Sequence, residues 1–230
     1  MDSTDAFRTA MIVTIDGPAG AGKTSVSKRL ALELGYRYMD TGALYRAVAV
    51  AAVQAKIASD DDAALAELCR RITLDLQDTR EGLRVLLNHT DITDRIRTPE
   101  ISMMASAVSA RPVVREFLLA TQRDLGSRGG VVAEGRDMGT VVFPQAEAKF
   151  FLDADSGIRA RRRYDELKEQ AGDAPSLDMV QKDMSRRDHN DTTRAVAPLQ
   201  PADDAIVIDS THLSLEAVVS LMMAHISRIT

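Results

Sequence analysis

Apolar and polar positions along the chain fall into two periods. Five short runs read as strands: MIVTID (11–16), YRYMD (36–40), GGVVAEG (129–135), AKFFLDA (148–154) and AIVIDS (205–210). Apolar runs with little alternation fit strands covered on both faces, as in a parallel sheet. Between them the apolar residues recur at helical spacing. TSVSKRLALELG (24–35) carries Val26, Leu30, Leu32 and Leu34, and Gly35 stops it. TGALYRAVAVAAVQA (41–55) reads as a second helix with Thr41 in the N-cap position. PEISMMASAVSA and RPVVREFLLATQRDLG follow, with Pro112 suited to a first helical turn. SGIRARRRYDELKEQ and LDMVQKDMSRRDHND are two charged helices joined by AGDAPS, and SLEAVVSLMMAHISRI is an amphipathic helix at the end.

One segment breaks this rhythm. SDDDAALAELCRRI predicts a helix with acidic residues in its first turn. ITLDLQ, LRVLLN and TDIT then alternate as short strands, separated by Asp-Thr-Arg-Glu-Gly and Asn-His, which predicts a hairpin or meander. Strands alternating with helices elsewhere predict an α/β fold, with a five-stranded parallel sheet and helices on both faces. On this reading the chain is one domain. Its core takes in residues 11–56, 98–155 and 191–230, with a small inserted subdomain over 57–97 and a helical lid over 156–190.

Composition narrows the setting. Apolar residues make up 45% of the 230 positions and charged ones 27%, ordinary for a globular chain. No apolar run approaches the roughly 18 residues that a membrane span needs. The opening MDSTDAFRTA lacks both a basic region and an apolar stretch, which argues against a secretory leader. A single cysteine, Cys69, excludes an internal disulfide; it sits in a helical pattern and reads as a small buried residue. One Cys beside ten Met fits a reducing, cytoplasmic setting. A net charge of −5 argues against nucleic acid as the main partner. The arginines are nevertheless crowded locally, at Arg159, Arg161, Arg162, Arg163, Arg186, Arg187 and Arg194. They form either a solvated helix face or an anion site inside an acidic protein.

The stretch Gly17-Pro18-Ala19-Gly20-Ala21-Gly22-Lys23-Thr24-Ser25 follows the first strand and opens a helix. Its Gly-x-x-x-x-Gly-Lys-Thr pattern is that of a P-loop. Glycines let backbone N–H groups close on phosphate oxygens, and the helix N-terminus favours an anion. Lys23 is placed to reach the β- and γ-phosphates, and the Thr24 hydroxyl to ligate Mg²⁺. These nine residues are therefore the predicted triphosphate site. No Asn-Lys-x-Asp base-reading motif of the switch GTPases is present.

Three further stretches lie at strand ends or helix starts: MDTGALYRA (39–47), AEGRDMGTVVFP (133–144) and SRRDHNDTTRAVAPL (185–199). Together with GPAGAGKTS, and in this order, they closely resemble the bacterial cytidylate kinases, from about Ile12 onward. The resemblance implies a kinase of pyrimidine nucleotide metabolism, which moves the γ-phosphoryl group of ATP, with Mg²⁺, to CMP or dCMP. It also implies contacts to the base from Ser106, Arg115 and Asp137, to the ribose from Arg187 and Asp191, and to phosphates from Arg194. A structural reading makes Ser106 a small helix residue and Arg115–Asp137 an ordinary ion pair.

The residues also speak for themselves. Asp40 and Thr41 leave the second strand at the edge where α/β sheets bind ligands. Thr41 serves either as a cap or as a donor to the ligand. Tyr45 and Arg46 lie a turn later, and Arg46 offers a planar fork for a monophosphate. Gly135 permits backbone approach, Arg136 can grip the acceptor phosphate, and Asp137 can accept from an exocyclic amine. Glu134 stands where some relatives of the family carry Asp, and its expected place is near Mg²⁺-bound water or the acceptor. Arg187, Asp191 and Arg194 share one face if the helix continues through them, with simple salt bridges as the alternative. One of Arg159, Arg162 and Arg163 is expected over the transferring phosphoryl group; Arg159 and Arg163 join Lys23 and Arg136 as candidate catalytic residues, and Arg161 points elsewhere. Kinases for UMP, dTMP or AMP and a non-catalytic nucleotide-binding regulator remain as rivals. Nothing in the pattern demands more than a monomer.

Overall fold

The computed structural model describes residues 10–79, 82–170 and 175–229. The opening nine residues, Arg80 and Glu81 of the expected hairpin turn, and 171–174 of the helix linker lie outside the described residues.

Five strands form the central sheet: β1 (Ile12–Asp16), β2 (Arg37–Asp40), β6 (Val131–Gly135), β7 (Ala148–Asp153) and β8 (Ile206–Asp209). Their spatial order is β2–β6–β1–β7–β8, and every pair is parallel. Val13 and Ile15 of β1 and all of β6 are buried, as their unbroken apolar runs require. Register aligns the carboxyl ends: Glu134 stands opposite Ile15 on one side and Asp40 on the other, and Gly135 stands opposite Asp16. Three acids thus meet at one rim.

α1 (Lys23–Leu34) and α8 (Leu215–Ile229) pack on one face of the sheet, where Leu30, Val132, Phe150 and Met222 share a core. Leu32, expected on the apolar face, is 75% exposed. It lies two residues from Leu30, so it points to the far side of the helix. The other large core surrounds α2 (Thr41–Gln54), whose Ala47–Ala52 stretch is buried throughout. Small alanines there let α3 (Asp62–Arg71), α4 (Pro99–Val108) and α5 (Pro112–Gly126) approach closely. Cys69 is buried against this cluster.

β3 (Leu74–Thr79), β4 (Gly82–Leu87) and β5 (Thr90–Asp91) make a separate antiparallel sheet. Leu76 half-buries its side chain against both α2 and the β6 core. α6 (Ser156–Gln170) and α7 (Leu177–Thr193) pair through Ala160, Val180 and Met184, with Ala19 of the glycine-rich loop packed against them.

Two local details differ from expectation. Asp40, not Thr41, caps α2: its backbone is extended and its Oδ1 accepts from Ala43 N at 3.0 Å. A carboxylate one residue earlier competes successfully for the same N–H groups. The stretch after Asp137, to which the sequence assigned no element, winds into a π-helical turn, Met138–Val142.

Candidate functional site

The glycine-rich loop leaves β1 and returns into α1 with its backbone fixed from outside. Gly17 has φ 147°, and a Cβ there would lie 2.0 Å from the Leu152 carbonyl oxygen. Gly20 has φ 74° with the Arg159 carbonyl 2.8 Å from the same construction. Only glycine meets both demands. Gly22 is the N-cap of α1 and supplies no side-chain acceptor, so the first amides of the helix keep their donors for an anion. Lys23, 8% exposed, folds back so that Nζ donates to the Pro18 carbonyl at 2.6 Å. Burial pulls its pKa down to about 7; neighbouring Arg136 adds to this, against Glu134, Asp16 and Asp191.

Beside this cradle stands Glu134. Its Oε1 accepts from the Thr24 hydroxyl at 2.8 Å and from the Tyr38 hydroxyl, while Oε2 is buried without a partner. Thr41 donates to the Glu134 carbonyl at 2.6 Å, so its hydroxyl is spent on the strand. Burial, with Asp40 nearby, raises the Glu134 pKa. Among the described residues no cluster of three or more His, Cys, Asp or Glu side chains could hold a metal ion. A free carboxylate oxygen next to a threonine hydroxyl still fits Mg²⁺, which takes few protein ligands and completes its shell with water and phosphate.

The other side of the site is a web of paired arginines. Arg46 bonds Asp40 at 2.8 Å, Arg136 Nε bonds Asp191 at 2.8 Å, and Arg115 bonds Asp137. Arg194 stands 3.6 Å from Asp137 and donates to the Ala197 carbonyl at 2.7 Å. The Tyr45 ring lies under Arg115, 5.8 Å from guanidinium to centroid. Several donors are buried and unsatisfied: Arg46 Nε, Ser106 Oγ, Arg187 Nε and one Arg194 nitrogen. Burial, together with Arg136, pulls the Arg187 pKa down to about 10. Buried donors without acceptors are costly, and the guanidinium and hydroxyl side chains that carry these atoms all line one space.

That space is a cavity of about 320 Å³. Lining it are Ala19, Gly20, Lys23 and Thr24 from the loop, and Asp40, Thr41, Tyr45, Arg46, Ser106, Arg115, Glu134, Gly135, Arg136, Asp137, Arg163, Arg187, Asp191 and Arg194 from the remaining predicted set. Gly17, Pro18, Ala21, Gly22 and Ser25 of the predicted set are not among its lining residues. Arg159 does not line the cavity but is bound beside the loop: it donates to the Ala154 and Ala19 carbonyls at 2.9 and 3.1 Å and pairs with Asp188 at 2.5 Å. Arg162 is likewise held, by the Ser210 carbonyl at 2.7 Å. Of the three lid arginines, Arg163 alone lines the cavity, and it pairs with Glu166 at 2.7 Å. Arg161 is exposed beside Asp165.

The helical-face reading of Arg187, Asp191 and Arg194 needs correcting. α7 ends at Thr193 and Arg194 adopts an extended backbone. Asp191 bonds Arg136 rather than Arg187, while Arg194, beyond the helix end, keeps the expected i,i+3 contact with Asp191 at 4.0 Å, and all three line the cavity. The sequence reading missed Tyr38, Asp188, Arg97, Ser102 and Asp16. Asp16 had a signal in its place at the carboxyl end of a strand, and Asp188 lies inside the stretch 185–199; Tyr38, within β2, and Arg97 and Ser102, which line the cavity, had none.

A strand, a phosphate-binding loop and a helix N-terminus at the carboxyl rim of a parallel sheet define a P-loop nucleotide-binding protein. The comparisons are more particular. The family model described as cytidylate kinase matches residues 13–228. A cytidylate kinase of Geobacter sp. strain M21 is 52% identical over 212 residues, covering 92% of this chain and 91% of its own. One from Geobacter sulfurreducens is 52% identical over 217 residues, covering 94% and 93%. A bifunctional pantoate ligase/cytidylate kinase of Trichormus variabilis is 48% identical over 212 residues, which span 91% of this chain and 40% of that protein. The chain belongs to the cytidylate kinase family.

Proposed function

We propose that the chain carries the γ-phosphoryl group of ATP to CMP or dCMP, with Mg²⁺, and that one cavity holds both nucleotides. The observation that carries this reading is the set of arginine side chains, Arg46, Arg136, Arg187 and Arg194, that line one cavity with the phosphate cradle. Donor phosphates rest on the loop amides and Lys23. The acceptor phosphate lies among Arg46, Arg136 and Arg194, whose charges offset the repulsion between two anions. Asp137 accepts from the cytosine amine, with Ser106 and Arg115 as donors on the same edge; Asp191 and Arg187 take the ribose.

Mg²⁺, held by Thr24 and, through water, by Glu134, would draw charge from the β- and γ-phosphates. The acceptor oxygen is already deprotonated near neutral pH, so no general base is needed. Catalysis is alignment and charge neutralisation. The α6–α7 pair acts as the lid that excludes water, and Arg163 is the lid arginine nearest the transferring group. No described helix is long and apolar enough to cross a membrane, and we place the enzyme in the cytoplasm.

The test is ADP release from ATP with CMP, dCMP, UMP, dTMP and AMP offered singly. CMP and dCMP should support turnover far above the others. ADP formation without any acceptor would instead favour a hydrolytic regulator.

A further inference from the structure

Asp16 ends β1, one residue before the glycine-rich loop, and no sequence motif of the site includes it. It is 3% exposed and, among the described residues, forms no ion pair. Its two oxygens are spent elsewhere. Oδ1 accepts from Met138 N and Oδ2 from Gly139 N, each at 2.8 Å. These are the opening amides of the π-helical turn, which no carbonyl of the turn can satisfy. Asp16 thus caps a turn that belongs to a different strand, 122 residues away in sequence.

The turn matters for what stands just before it. Arg136 and Asp137 are its leading residues, and Asp137 provides the carbonyl that accepts from Val141 and Val142. Their side chains are the ones bonded to Asp191 and Arg115. On the other flank of Asp16, Gly17 is wedged against the Leu152 carbonyl, so the donor loop is fixed independently of the turn. We infer that Asp16 is a positioning residue for acceptor binding: its carboxylate sets where Arg136 and Asp137 stand relative to the phosphate cradle. This rests on the acceptor role proposed above for those two residues.

The geometry suits a carboxylate. Each of the two adjacent N–H donors meets its own oxygen, and an asparagine in the same position offers one oxygen with an NH₂ that would face a donor. Asp16→Asn therefore keeps the volume and frees one end of the turn.

Equilibrium titration calorimetry of the whole chain with CMP and with ATP, each alone, tests this. For Asp16→Asn the CMP dissociation constant should rise about tenfold or more, as expected for a misplaced binding group, while that for ATP stays within about twofold. In steady state the loss should appear in the KM for CMP, with most of kcat regained at saturation. Val13→Ala, a buried truncation on the same strand, serves as the control for lost stability and should leave CMP affinity unchanged. Should Asp16→Asn not accumulate as folded protein, Gly139→Ala disturbs the same contact from the turn: a Cβ there would come within 3.1 Å of Thr14 Oγ1. It should reproduce the selective loss. Equal losses for ATP and CMP, unchanged CMP affinity, or the same loss in Val13→Ala would each overturn the inference. A wild-type chain that failed to bind CMP would overturn the functional reading instead.

Discussion

The two halves that we propose for the cavity, one for the phosphate donor and one for the acceptor, are built in opposite ways. The donor half is backbone: nine consecutive residues, glycines wedged against neighbouring carbonyls, and helix amides left free for an anion. The acceptor half is side chain. Its groups come from α2, α4, α5, the end of β6 and the end of α7, and its arginines Arg46, Arg115 and Arg136 are each held by a carboxylate before any ligand arrives. A backbone cradle recognises phosphate and little else, whereas a jigsaw of paired charges can discriminate a base and a sugar. The first should tolerate no change at its few fixed points. The second should lose selectivity in graded steps.

The largest effect is expected at the charged side chain of the donor half. Lys23→Ala should lower kcat by about a thousandfold, the scale for removing one preorganised group that faces developing charge. Near-ultraviolet circular dichroism should stay unchanged, because the buried ammonium is a burden on the fold. Wild-type turnover in this variant would break the contrast, since it would leave the cradle without a catalytic part.

On the acceptor side, Asp137→Asn keeps the shape and removes the charge that both Arg115 and Arg194 face. A hydrogen bond to a charged group is worth about 1.5–3 kcal/mol, so the preference for CMP over UMP should fall about ten- to hundredfold. ATP affinity should hold. The ratio of kcat/KM values for the two acceptors reads it directly, and an unmoved ratio would take Asp137 out of base recognition.

The same contrast explains what could be read from the chain. The cradle was legible residue by residue, because its chemistry is contiguous and its glycines answer to local geometry. The parallel sheet was legible too, since strands buried on both faces announce themselves as apolar runs. The acceptor half was not legible from spacing. Arg187 and Asp191 lie four apart on one helix, yet Asp191 bonds Arg136, which is 55 residues away. Arg194 works from beyond the helix end that its spacing was assumed to continue. Only the resemblance to a family pointed to Ser106 and Arg115. Neither route found Asp16 or Asp188, because the partners of both are chosen by the tertiary fold, Asp16 by two backbone amides and Asp188 by Arg159.

The smallest effect is a proton, and it separates the halves most cleanly. Free Lys23 has its pKa drawn down to about 7 by burial and by Arg136, against the pull of Glu134, Asp16 and Asp191. At pH 8 such a group is mostly neutral. Triphosphate oxygens arriving beside it favour the charged form and raise that pKa, so ATP binding should take up close to one proton at pH 8 and almost none at pH 6. Calorimetric titration with ATP in buffers of different ionisation enthalpy gives the number as a slope. In Lys23→Arg the guanidinium is charged throughout, and the slope at pH 8 should vanish. CMP titrated alone should show no such Lys23-dependent uptake, because its phosphate is met by arginines that are already charged. A slope shared by ATP and CMP, or one that survives Lys23→Arg, would mean that the proton belongs to Asp16 or Glu134, whose pKa values burial raises. The donor and acceptor halves would then be electrostatically one site.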